Sequence, residues 1–154
     1  MLHNLEEIMT IEGWFKKIYP RISRKIPSFA QKEMKKFEDI TAAQFSAVVF
    51  VFSIASSILI LIAAITQYYF LFFGLNLLFA LNMFTHPLQA LYLRCYTPGL
   101  WTALFLIIPY NIVFFNYFSK AGFLTMNTIL GSLLVMLFLI SVFFLSHKVG
   151  EKWG

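Results

Sequence analysis

Residues 40–93 read ITAAQFSAVVFVFSIASSILILIAAITQYYFLFFGLNLLFALNMFTHPLQALYL, 54 consecutive positions between Asp39 and Arg94 without an aspartate, glutamate, lysine or arginine. As one helix this run would be about 80 Å long at 1.5 Å per residue. The hydrocarbon core of a bilayer is only about 30 Å thick and takes about 20 residues to cross. The run therefore folds back once, with spans at about residues 45–66 and 70–93. Thr41 and Gln44 have the spacing of a capping box at the start of the first span. Gln67, Tyr68 and Tyr69 suit the hairpin, because amphipathic rings settle at the membrane interface; Gly74 offers an alternative break.

The same argument extends toward the C-terminus. Twenty-five uncharged residues separate Arg94 from Lys120, and 27 separate Lys120 from Lys148. They supply spans at about 100–118 and 124–145, with Pro98-Gly99 and Lys120-Ala121-Gly122 as the intervening turns. Pro109 falls inside the third span and should kink it, leaving a carbonyl that needs another partner. No backbone polar group can stand bare in lipid, so the spans are helices. Composition agrees: of 154 residues 60% are apolar and 12% charged, with a mean hydropathy of +0.77. A soluble domain is about half apolar and about a quarter charged, so both a water-soluble globule and a disordered chain are excluded. The reading is one domain over residues 1–154, an all-α polytopic membrane bundle of four spans behind an N-terminal helical segment. A lone cysteine, Cys95, excludes an intrachain disulfide framework; beside the membrane it is either a palmitoylation site or an inert thiol.

Charge sets the expected orientation. Eight of the twelve Lys and Arg lie in residues 1–39; with Arg94, Lys148 and Lys152 they put eleven basic residues on one side and only Lys120 on the other. The positive-inside rule then places both termini in the cytoplasm of a cell-membrane protein. The net charge of +5 reads as contact with anionic lipid at that face and not as a nucleic-acid surface. Between residues 10 and 40, Trp14, Phe15, Ile18, Tyr19, Ile22, Ile26, Phe29, Met34 and Phe37 are interleaved with Lys and Arg. That stretch is either an amphipathic helix lying in the interface or a solvated basic linker.

Several polar groups stand where hydrocarbon does not tolerate them. Asn82, His86 and Gln89, at i, i+4 and i+7, share one helix face that must turn into the bundle. They are either interhelical hydrogen-bond glue or the lining of a site, the default for an intramembrane histidine. Near the N-terminus His3, Glu6 and Glu7 stand at i, i+3 and i+4 and project to one side of a helix. One imidazole and two carboxylates suit a hard or borderline divalent metal, although a solvated charged face has the same pattern. Topology brings His3, Glu6, Glu7, His86, Tyr96 and His147 to one leaflet. His147 is a member of that group or a cap on the carbonyls that end the fourth span.

His3-Asn4-Leu5-Glu6-Glu7, then His86, then Tyr96-Thr97-Pro98-Gly99 resembles the HXXEE domain family, defined by an HXXEE motif, a second histidine and a YXPG motif. The resemblance implies a multi-pass membrane protein with an enzymatic role attributed to those motif residues. The family carries an apolar segment before the HXXEE motif, whereas only Met1 and Leu2 precede it here. The expectation is that this sequence starts inside a membrane helix, as the remnant of a fifth span; a genome without in-frame apolar codons upstream would refute it. On the enzyme reading His3, Glu7 and His86 are ligands of zinc or iron. Glu6 is a general base or further ligand, and Tyr96 donates a proton or hydrogen bond to a hydrophobic small-molecule substrate. A small transporter or proton relay, completed by oligomerisation, and a non-catalytic scaffold are the alternatives.

Overall fold

The computed structural model describes residues 2–35 and 37–150. Helices α1 (Leu2–Lys17), α2 (Tyr19–Ile22) and α3 (Ser28–Lys35) precede four long apolar helices. These are α4 (Ala42–Thr66), α5 (Tyr69–Leu93), a composite third helix Leu100–Lys120, and α8 (Met126–Gly150). The composite helix comprises α6 (Leu100–Thr102), a π-helical turn (Ala103–Ile107) and α7 (Ile108–Lys120). Each of the four is long and apolar enough to cross a bilayer, and the protein is an all-α membrane bundle. The expected spans correspond to these helices one for one, with ends that differ by a few residues.

Local chemistry explains the ends. Thr41 and Gln44 form the anticipated capping box, Gln44 N donating to Thr41 Oγ1 (3.2 Å) and Thr41 N to Gln44 Oε1 (3.1 Å). Gln67, in the left-handed region at φ 59°, closes α4 and opens the hairpin. Gly74 is not a break but a contact. A Cβ built there would lie 2.6 Å from Val135 Cβ and 2.7 Å from the Ser132 carbonyl oxygen, so the missing side chain lets α5 and α8 approach closely, as small residues do in membranes. Gly74→Ala should therefore overpack this seam and cost about 1–3 kcal/mol, read as a lower Tm in detergent. Pro109 is absorbed by the π-helical turn before it, where Ile108 N–H reaches back five residues to Ala103 O. Such a bulge is one of the recognised ways to accommodate an interruption in a helix.

The basic N-terminal segment is helical, as expected, and is not a solvated linker. Its apolar residues are buried against protein: Trp14, Phe15, Tyr19, Ile22 and Ile26 form one cluster with Ile40, with Phe45 at the start of α4 and with Leu93 at the end of α5. Gln31 Nε2 ties the turns together through the carbonyls of Ser23 and Ile26 (both 2.7 Å), and Tyr92 OH donates to Lys25 O (3.2 Å). Residues 14–35 and 37–45 thus build a cap over one end of the bundle. The first half of α1 continues past the cap beside α4, where Leu5 and Ile8 share a groove with Val49, Phe50 and Ser53.

Candidate metal centre

Helix α1 carries the site because three of its acids have separate tasks. Glu12 Oε2 accepts from Ala42 N (3.0 Å), which caps α4. Glu6 does the same for the third span: Oε1 accepts from Trp101 N (3.1 Å) and Oε2 from Thr102 N (2.7 Å). A carboxylate at a helix N-terminus satisfies orphan amides and complements the helix dipole. Glu6 also accepts from Tyr96 OH (2.7 Å) and from Thr102 Oγ1 (2.5 Å). Trp14 Nε1 holds the same turn from the other side by donating to Tyr96 O (2.6 Å). The turn Tyr96-Thr97-Pro98-Gly99 is thereby fastened to α1 at both ends.

Glu7, one residue on, turns away from that network toward two imidazoles. Its Oε1 lies 3.6 Å from His3 Nε2 and 3.4 Å from His86 Nε2, and the rings of His3 and His86 meet edge to face with centroids 4.8 Å apart. His3 is 5% and His86 9% exposed, so both are taken out of water. His3 Nδ1 is 2.8 Å from Thr102 Oγ1. The Thr102 hydroxyl hydrogen is engaged by the Glu6 carboxylate, so the threonine oxygen accepts and His3 Nδ1 donates. That bond fixes the tautomer and leaves the lone pair on Nε2, the atom that faces Glu7 and has no hydrogen-bond partner.

The electrostatics follow from burial. Glu7 is pushed up to about 8, first by loss of solvent and then by the neighbouring Glu6 charge. His3 is lowered to about 4 by burial and then by His86. Burial also raises Glu6, but bonds from the Thr102 and Tyr96 hydroxyls and from the Thr102 and Trp101 amides outweigh it and hold the carboxyl below its ordinary value. Tyr96 is pushed up to about 12, by burial and by the carboxylate it bonds. At pH 7 the cluster is therefore a neutral His3 and a protonated Glu7 beside an ionised Glu6.

His3, Glu7 and His86 are the group that could hold a metal, with two donor pairs near ligand spacing and the third wider. Ligand bonds of about 2.0–2.1 Å in tetrahedral geometry put donor atoms about 3.3–3.4 Å apart, and the two measured separations are 3.4 and 3.6 Å. One donor atom from each of His3, Glu7 and His86 falls within 4.8 Å of the others. Gly99 closes the wall: at φ +81°, a Cβ there would lie 2.7 Å from His3 Cε1, 2.9 Å from His86 Cε1 and 3.1 Å from Glu7 Cγ. Gly99→Ala would force both a left-handed alanine, costing about 1–2 kcal/mol, and displacement of the two rings. The expected result is a lower Tm together with weakened metal uptake.

The other candidate residues lie elsewhere. Asn82 and Gln89 share the His86 face in sequence, yet Asn82 lines one neighbouring cavity and Gln89 the other. His147 does not join the other two histidines; its ring packs on Phe37 and Phe143, with centroids 4.9 and 4.8 Å away. Burial raises the half-buried Cys95 thiol, which keeps it in its unreactive form. Trp14, Thr102 and Gly99 were not singled out from sequence for the contacts they make here. Gly99 was marked as part of the Tyr96-Thr97-Pro98-Gly99 turn, and Thr102 lies within one helical turn of it.

The family described as "Protein of unknown function with HXXEE motif" matches residues 1–114, a stretch that contains the whole of this cluster. No curated protein and no solved structure gives a significant match to the chain.

Proposed function

The chain belongs to the HXXEE family, and on that premise we propose that it is a membrane-embedded enzyme dependent on a divalent metal, zinc or iron, held by His3, Glu7 and His86. The observation that carries this reading is the approach of two buried imidazole nitrogens to one carboxylate oxygen at 3.4 and 3.6 Å, with donors from helices 79 positions apart in the chain. Three protein donors with a fourth position free is the pattern of catalytic and not of structural zinc sites. Bound by these three residues, a metal would supply Lewis acidity toward water and toward a carbonyl or phosphoryl oxygen. The chain's own residues do the rest. Glu7 provides the charge, the Thr102–His3 bond aims the ligand nitrogen, and Glu6 with Tyr96 fixes the turn that brings Gly99 against the rings. In this reading Glu6 and Tyr96 are positioning residues, because their polar atoms are spent on each other and on Thr102.

Charge supports an orientation with α1 and the cap in the cytoplasm. The transport alternative draws less support, since Asn76, Tyr110 and Asn111 are engaged in bonds within and between helices.

Elemental analysis of purified protein tests the proposal: about one zinc or iron per chain is expected, removable by a chelator. Wild-type protein that takes up no more metal than the His86→Ala variant would refute it. Metal uptake should also release a proton. Glu7, at about 8, is protonated at pH 7 and must ionise to ligate, whereas His3, at about 4, is already neutral. Calorimetry in buffers of different ionisation enthalpy should find about one proton released at pH 7 and almost none at pH 9. Affinity should rise with pH up to about 8 and level off above it.

A further inference from the structure

The metal cluster accounts for only one wall of a larger space. A cavity of about 450 Å³ lies between α1, α4, α5 and α8, with Phe45, Phe52, Leu78, Phe79, Ile140 and Phe143 in its walls. Glu7 stands in the same lining, so the cavity and the cluster are continuous through that one side chain. Along α4 it runs from Phe45 to Phe52, two turns or about 10 Å of bundle depth. A cavity of this size falls within the roughly 300–1,000 Å³ of ligand pockets. Its polar lining is confined to Asn4, Glu7, Asn82 and His147, and the remaining walls are hydrocarbon. A peptide segment does not fit, because its backbone N–H and C=O groups would find almost no partners there. Hydrocarbon chains are what surrounds this protein at that depth.

We infer that this cavity seats the hydrocarbon tail of an amphipathic lipid substrate, whose polar group lies at Glu7 beside His3 and His86. The inference rests on the reading of that cluster as an active site and names the chemistry it would act on. A long acyl tail is common to free fatty acids and membrane phospholipids, and the two sources are separable by experiment.

Zinc-loaded protein in nanodiscs would be irradiated with palmitic acid carrying a diazirine near the end of its chain, or with a phosphatidylcholine bearing the same chain. Saturable labelling of Phe52, Phe79 and Ile140, displaced by the unlabelled compound, is expected from one of the two probes. Whichever probe saturates identifies the source. Leu134 and Leu137, exposed on the outer surface of α8, should label without saturating. Leu78→Trp and Ile140→Phe, which fill the cavity from different helices, should each lower saturable labelling by about tenfold or more with metal per chain unchanged. If metal is bound but cavity labelling saturates no more than that of Leu134, the lipid inference is overturned while the metal reading stands. If neither cavity-filling variant lowers labelling at wild-type metal content, it is likewise overturned. Saturable labelling in a wild-type protein that takes up no metal overturns the enzyme reading and with it the role of the lipid as substrate.

Discussion

On the proposed metal site, His86→Ala is expected to lower metal affinity by more than about 100-fold, since even partners outside the ligand set cost 10–100-fold in metal sites. The protein still enters the membrane, because insertion depends on the four apolar helices and not on this side chain. Glu7→Gln gives a sharper result. Glutamine preserves the shape of a carboxyl that is already protonated at pH 7, so folding is nearly untouched while metal binding is lost. The sign of the pH dependence separates the two effects. Because the folded Glu7 sits at about 8 against an ordinary 4.5, the metal-free folded state binds the extra proton between those values, and Glu7 makes stability fall as pH rises through that window. Thermal melts of metal-free protein from pH 5 to pH 8 should show this slope in the wild type and lose it in Glu7→Gln. A slope unchanged by the substitution would mean that Glu7 ionises freely and is not the buried donor described here.

The second large effect belongs to Glu6→Ala. Four donors, the amides of Trp101 and Thr102 and the hydroxyls of Tyr96 and Thr102, lose their shared acceptor. Hydrogen bonds to a charged group contribute about 1.5–3 kcal/mol each, and since the site is partly exposed and the bonds share one carboxylate, a net loss of about 3 kcal/mol is expected. Metal affinity should fall as well, although Glu6 does not point at the metal position, because the Thr102–His3 bond loses its anchor. Thr102→Val should reproduce the loss of affinity with a smaller loss of Tm. A general base would behave differently: Glu6→Gln would then abolish turnover and leave metal affinity and melting unchanged. The folded carboxyl lies below its ordinary 4.5, so its stabilisation is complete above that pH and disappears as pH falls through the lower folded value. Glu6→Ala should flatten the acid limb of the stability profile.

Much of this was legible in the sequence, for identifiable reasons. The charge-free runs on either side of Arg94 and Lys120 set the number of spans, because the cost of charge in hydrocarbon leaves few alternatives. The Thr41 and Gln44 box is a local contact and shows in four residues. The meeting of His3, Glu7 and His86 followed from topology and spacing. What stayed hidden depends on distant partners. Glu6 and Glu12 cap helix amides 95 and 30 positions later, and backbone amides leave no mark in sequence. The acceptor choice that separates Glu6 from Glu7, adjacent and chemically identical, is decided by where Trp101 and Thr102 lie. Pro87, inside α5 directly after His86, drew no attention in the sequence, although it deprives that helix of a donor one residue from the site. The π-helical turn also depends on how the third helix packs, and Pro109 alone announces only that some adjustment must occur.

The attachment of α1 to two helix starts has a consequence for biosynthesis. The surfaces that receive Glu12 and Glu6 do not exist until Ala42 and then Thr102 have left the ribosome and their helices have entered the bilayer. Helix α1 therefore completes its docking only after the start of the third span has been made. Until then the turn that sets Gly99 against the His3 and His86 rings has no anchor on Glu6, and the cluster stays unassembled.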